Sequence, residues 1–403
     1  MKNYRGMYKL YFETKNKKDV PEIATALYDS VSSIIPDFMI NGRPGFIVYC
    51  DEMLHELASI REKNRIIDRM SGKLPSVAYR QFLRQAIVEE IHQSNEMENV
   101  HSTRKEIRDE MKVIENGQKG KRFDGMIRKY SLLIGRERIP LASCQDIRTL
   151  YDSFVLDEVV KENPDDAPDG LYFRKGPVEI VKNLQTIHEG VYPEEVLNDA
   201  MEHALLFLND SDYDPLIRVA AFHYMFGYAH PFYNGNGRMT RFISSSKLHD
   251  ENIQQLVALR LSYVIKSHRS HYYKMFSITN DKRNYGDMTC FVIEFLKFIN
   301  EASEQVLSFL NEKDNLLQHY SRIVKRLDID DVCQELLFIL VQVSVCEGDS
   351  LSITGIAKAS NRSQYIVRKH LQMIEPYCLE EYHGRAHLYR ANLEMLDDID
   401  TLG

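Results

Sequence analysis

A chain of 403 residues, 44% hydrophobic and 27% charged, is long enough for two or three domains with ordinary cores. Its formal net charge of −8 argues against a general nucleic-acid or membrane-surface role, and 12 prolines with 19 glycines leave no low-complexity linker. Six scattered cysteines without a CxxC pair speak against a disulfide framework or a zinc site, and no apolar run reaches about 18 residues. The expectation is a soluble cytoplasmic protein with no membrane partner.

In chain order, "YKLYFE" and "GFIVYC" near the N-terminus carry strand-forming residues and are expected to form a small sheet. Leu83, Ile87, Ile91 and Ser94 then fall on one face of a helix. "NGQKGKR" after Asn116 reads as a loop; its G-x-x-G-K order lacks the spacing and Ser/Thr of a phosphate-binding P-loop. A hairpin is expected within residues 176–192, followed by a helix over "PEEVLNDAMEHALLFLND". Asp214 as cap and Pro215 at the first turn predict a helix through "LIRVAAFHYMFGYA". Further helices are expected over "SHYYKMFSITN" and over a long run from Asp287 to Leu327, with another domain beginning near Asp330.

The stretch "AHPFYNGNGRMTRF", residues 229–242, is not core-like. Gly235 and Gly237 clear side chains from a turn between two helices, so successive backbone N–H groups can form an anion-binding concavity at a helix N-terminus. Arg238 and Arg241, three residues apart on one face, turn that nest into a receptor for a polyphosphate. His230 is the one side chain of the stretch able to take a proton near neutral pH. A base beside a triphosphate cradle suits attack of a hydroxyl on a phosphate.

These residues resemble the signature of the Fic family, HPFx[D/E]GNGRxxR, matched at His230, Pro231, Phe232, Gly235, Asn236, Gly237, Arg238 and Arg241. "FRKGPVEI" resembles the start of that family's target-docking flap, and "LRLSYVIKSHRSHYYKMF" the helix pair bordering its adenine site, with Tyr272 and Tyr273 as adenine-side candidates. The resemblance implies a mainly α fold, a Fic-type helical bundle with a small β-hairpin flap. It also implies transfer of a nucleotide monophosphate, most often AMP from ATP, to a Ser, Thr or Tyr hydroxyl of a target protein. On that reading His230 is the base and Phe232 anchors the loop. Gly235, Asn236, Gly237, Arg238, Met239, Thr240 and Arg241 hold the phosphates, and Mg²⁺ bridges two of them. One position departs from the signature. Asn234 stands where the family usually has an acid to hold the metal, so a metal held there loses a negative ligand.

Glu98 follows Ser94 at i+4 and would continue the apolar face of its helix with an acid. Either the helix ends at the surface near 96–99, or the carboxylate has a partner. Ser94 to Asn99 resembles the inhibitory motif [S/T]xxxE[G/N] of many Fic proteins, which implies an N-terminal inhibitory helix whose Glu98 pairs with Arg241 in the place of the γ-phosphate. In some members the same glutamate is linked to removal of AMP.

Residues 351–390 look like a winged helix-turn-helix, with a short helix ending near Ala359, a turn at Ser360–Asn361, a second helix and a strand pair around His383–Gly384. Arg362, Gln364, Arg368 and Lys369 would line a recognition helix, but residues 331–403 hold six Lys and Arg against eleven Asp and Glu. A dimer contact or another protein contact suits that charge at least as well as DNA. The expected domains are 1–120 with the inhibitory helix, 121–325 as the catalytic core, and 326–403. The leading expectation is an autoinhibited protein adenylyltransferase using ATP and Mg²⁺. The alternatives are the reverse reaction, transfer of another nucleotide or phosphate-linked group, and an ATP-sensing DNA-binding regulator.

Overall fold

A computed structural model describes residues 4–402, apart from 136, 183, 184, 347, 349, 384 and 385. It is mostly helical, with a few small antiparallel sheets, and falls into two compact units. The first comprises Met1–Asn64 and Ile87–Ser303, the second Arg65–Ala86 and Glu304–Gly403.

The first unit is organised on the helix Pro215–Ala229. Asp214 caps it by accepting the Leu216 N–H (3.0 Å), and Pro215 occupies the first turn, where no hydrogen bond is lost. Nearly every residue from Leu216 to Ala229 is buried, as in a helix apolar all round. It packs against Glu194–Asn209 on one side and Asn236–Asp250 on the other. The latter helix is as deeply buried but far more polar: Asn236, Arg238, Thr240, Arg241, Ser244, Ser245 and Ser246 all lie inside. Buried polar groups need partners, so this helix marks where chemistry is to be sought.

The expected apolar face of the helix Ser76–Met97 is present: Leu83, Ile87, Ile91 and Ser94 are buried, and Glu98 follows in the turn after the helix. The loop after Asn116 joins the helices Arg104–Glu115 and Asp124–Gly135. Strands Glu179–Lys182 and Gln185–Glu189 pair antiparallel within the expected hairpin, whose residues 183 and 184 lie outside the described residues.

One expectation fails. "YKLYFE" is not a strand; Met7–Glu13 is a helix. Met7, Leu10 and Tyr11, at i, i+3 and i+4, gather in one cluster with Val20, Ala24, Phe46 and Val48. The first-turn N–H groups of Met7 and Tyr8 donate to Asp287 Oδ2 (2.9 Å) and Asn284 Oδ1 (3.2 Å), partners some 280 positions away. "GFIVYC" does contribute a strand, Ile47–Val48, paired with Ser33–Ile34.

In the second unit, Asp330 caps the helix Asp331–Val345 through the Cys333 N–H (2.8 Å). There follow the strand Leu351–Ser352, the helix Ile353–Ser360, a turn with Asn361 at φ 53°, the helix Gln364–Met373 and the strands Cys378–His383 and Ala386–Ala391. The last strand is the middle of a three-stranded antiparallel sheet. Of the expected strand pair, Gly384 lies outside the described residues. Leu336, Leu337, Leu340, Ile356, Val367, Ile374 and Leu396 are among its buried side chains. Among the described residues no helix is long and apolar enough to cross a membrane.

Candidate active site

The helix Pro215–Ala229 stops at His230, whose left-handed backbone (φ 51°, ψ 62°) turns the chain out of the helix. Gly235, at φ 80°, turns it back into the helix Asn236–Asp250; that angle suits glycine. Between them Phe232 is fully buried, stacked on Tyr151 at 3.7 Å and edge-on to Phe173. The Asn236 amide grips Phe232 at both ends: Nδ2 donates to its carbonyl (2.7 Å) and Oδ1 accepts its N–H (2.9 Å). The turn is therefore pinned from inside, and His230 is presented on a rigid edge.

Arg174, which lies in "FRKGPVEI" without a role of its own in the sequence reading, completes this edge. Its fully buried guanidinium donates to the carbonyls of His230 (2.9 Å), Gly176 (2.7 Å), Val191 (2.9 Å) and Ala229 (3.3 Å). It thereby joins both ends of the hairpin to the His230 turn. The Val191 N–H also donates to the Ala229 carbonyl (3.0 Å), so the chain leaving the hairpin runs beside His230.

His230 is largely buried, and desolvation, with His188 and Arg174 near, pulls its pKa down to about 4. Its imidazole is therefore neutral at pH 7 and able to accept a proton. A protonated ring cannot, so any base-catalysed rate should fall only as pH drops toward this value. The acid limb of a kcat/KM profile is expected well below the ordinary histidine value of about 6.5. A limb at 6.5 or above would contradict this environment.

Beyond the turn, the first residues of the helix Asn236–Asp250 face the site without a side-chain cap. The Met239 and Thr240 side chains are used inside the protein: Met239 is buried, and Thr240 Oγ1 donates to the Asn236 carbonyl (2.8 Å). Any contact they make with a ligand is through backbone. Arg238 is fully buried, and none of its three guanidinium nitrogens has a hydrogen-bond partner. An unpaired buried charge is costly, and nothing in the fold itself requires it.

Arg241, also buried, is fully engaged. Its Nε donates to Ser94 Oγ (3.0 Å), and its Nη2 to the Ser94 carbonyl (2.8 Å) and Glu98 Oε1 (2.8 Å). Glu98 is about one quarter exposed and leans over Gly237, where a side chain's Cβ would collide with its Oε1. Its carboxylate thus lies at the helix N-terminus, in the position an anionic ligand would take. Two turns earlier on the same face is Glu90, a further residue the sequence reading passed over. Fully buried, it accepts from the Ser262 N–H (3.0 Å) and Oγ (2.6 Å), and burial raises its pKa to about 7.

Tyr272 and Tyr273 both lie within electrostatic reach of Glu98 and Arg241. Tyr272 is buried and its hydroxyl pairs with His223 Nε2 (2.8 Å); Tyr273 is partly exposed. Asn234 is occupied at both ends: Oδ1 accepts the Gly235 N–H (2.7 Å), and Nδ2 donates to Asp166 Oδ2 (3.1 Å). Among the described residues no group of three or more His, Cys, Asp or Glu could hold a metal ion by itself.

Residues 142–246 match the model of the Fic/DOC family. A Fic family protein from Desulfovibrio desulfuricans G20 shares the fold at a TM-score of 0.51 and 18% identity, over 86% of this chain and 97% of that one. A Fic-1 fragment from C. elegans aligns at 17% identity and a TM-score of 0.44, over 64% of this chain and 74% of that one. The matched segment includes the hairpin of Glu179–Lys182 and Gln185–Glu189, His230, the pinned turn and both arginines, and residues 142–246 form a Fic/DOC family domain.

Proposed function

We propose that this protein is an adenylyltransferase, moving AMP from ATP to a Ser, Thr or Tyr hydroxyl of a target protein, and that Glu98 holds it inactive. Members of the family are typically transferases. The observation that carries the reading is Arg238, a buried guanidinium with three unpartnered nitrogens behind a helix N-terminus. Its missing partner is anionic, and a polyphosphate supplies enough acceptors for it, for the backbone nest and for Arg241.

In this reading His230 takes the proton of the target hydroxyl. The hydroxyl oxygen bonds to the α-phosphorus, the bond to the bridging oxygen breaks, and pyrophosphate leaves. Arg238 and, once freed from Glu98, Arg241 bind the departing phosphates and stabilise the charge that builds on them. Arg174 keeps His230 in place, and the neighbouring hairpin offers backbone to an incoming target segment. Tyr272 and Tyr273 are proposed on the adenine side. A divalent cation would neutralise phosphate charge, with the phosphates supplying most of its ligands.

Arg238 gives a test with two readouts of opposite sign. Arg238→Met should raise the thermal midpoint of the ligand-free protein, because it removes an unpaired buried charge and keeps the volume. The same variant should lose ATP binding by at least about tenfold in calorimetry. A lowered midpoint with unchanged ATP affinity would mean that Arg238 is structural.

The C-terminal elements are proposed as a winged helix-turn-helix. Arg362 is tied to Glu335 (2.6 Å) and Gln364 to Thr354 (3.2 Å), which leaves Arg368 and Lys369 exposed on the second helix. Two exposed cations in a segment of net charge −5 favour a protein contact, such as a homodimer, over a duplex. A salt-sensitive gel shift abolished by Arg368→Glu with Lys369→Glu would reverse that order.

A further inference from the structure

The metal-side chemistry of the site has a carboxylate that the signature does not contain. Asp166 ends a short 3-10 turn, Pro164–Asp166, and is half-buried. Its Oδ1 accepts from Asn163 Nδ2 (2.9 Å) and its Oδ2 from Asn234 Nδ2 (3.1 Å), both neutral amides. Among the described residues it takes part in no ion pair. A carboxylate accepts at about four positions, so each oxygen keeps a lone pair. The next acid along, Asp169, is otherwise employed: its Oδ1 accepts the Lys175 N–H (2.8 Å) and the Tyr233 hydroxyl (3.0 Å).

Asn234 itself is poorly placed to ligate, since its carbonyl oxygen is turned back onto the Gly235 N–H. Its amide instead points its N–H toward Asp166 and steadies that carboxylate beside the turn. Tyr151 ties the two sides together: its hydroxyl donates to the Asn234 carbonyl (3.1 Å), and both Arg238 and Asp166 act on its phenol, in opposite directions. Arg238 is the independent sign of a ligand here, being fully buried with no partner. Arg238 and Asp166, of opposite charge, both act on this one tyrosine, yet among the described residues they form no ion pair with each other. A ligand carrying both signs, a polyphosphate with its divalent cation, satisfies both at once.

We propose that Asp166, steadied by Asn234, supplies the protein carboxylate for the divalent cation of this site, so that the charge absent at position 234 enters from a different segment. This rests on the nucleotide reading of Arg238, and the experiment separates the two. The full chain carrying Glu98→Gly is titrated with α,β-methylene ATP in EDTA, and its complex with that analogue is then titrated with Mn²⁺, followed by electron paramagnetic resonance. Asp166→Asn should leave the metal-free analogue affinity within about twofold. It should weaken Mn²⁺ by at least about tenfold, as losing a group that ligates or orients a ligand does. Adding Asn234→Asp to Asp166→Asn should restore Mn²⁺ affinity by returning the charge to the turn. Unchanged Mn²⁺ affinity in Asp166→Asn, or failure of the added Asn234→Asp to restore a loss, would overturn the assignment. No analogue binding by the parent would overturn the nucleotide reading and this assignment with it.

Discussion

His230→Ala is expected to lower transfer by about 10²–10⁴-fold, the usual cost of removing a positioned general base. The Glu98→Gly background makes the loss measurable. ATP affinity should stay within a few-fold, because the phosphate-side groups Arg238 and Arg241 lie on the following helix and do not bond to the imidazole. A left-handed backbone at φ 51° disfavours alanine, so His230→Asn is the control: asparagine tolerates that conformation but offers no base near neutral pH. Both variants should show that loss, and the asparagine one should keep the parent's thermal midpoint. Activity at the parent rate in either would remove His230 from the chemistry.

Glu98→Gly is expected to raise labelling by well over tenfold, since about 1.4 kcal/mol of relieved competition already gives that factor. The carboxylate acts twice: it holds Arg241 Nη2 at 2.8 Å, and it covers Gly237 at the helix N-terminus. A phosphate cannot enter while it stays, because its charge is repelled and its arginine is taken. Ser94 keeps two contacts to Arg241 when Glu98 is gone, so the guanidinium remains in position for its new ligand. Arg241→Ala should not mimic the gain, because it removes the phosphate ligand together with the inhibitory contact. Equal labelling by the parent and Glu98→Gly would remove the inhibitory role.

What the sequence makes legible follows the range of the interactions. The turn from His230 to Arg241 is local, so its glycines, its base and its two arginines stand within a dozen positions. The buried face through Leu83, Ile87, Ile91 and Ser94 is a periodicity, and it leads by spacing alone to Glu98. Arg174, Tyr151 and Asp166 reach the site across 56 to 83 positions, and no local spacing shows what they hold there. Nor does spacing reveal that the Asn236 amide is spent on Phe232, or that Arg238 lacks a partner. The N-terminal helix fails for a related reason. Its aromatic residues favour a strand, and the capping acceptors that decide for a helix lie near residue 285.

The central claim is that the α-phosphate, with its nucleoside, is what moves. Parallel incubations of Glu98→Gly with ATP labelled at the α- or the γ-phosphate, with and without cell lysate, test it most directly. The expected result is protein-bound label from α-labelled ATP alone, absent when His230→Ala is added. Protein-bound label from γ-labelled ATP, or from neither, would contradict adenylyl transfer.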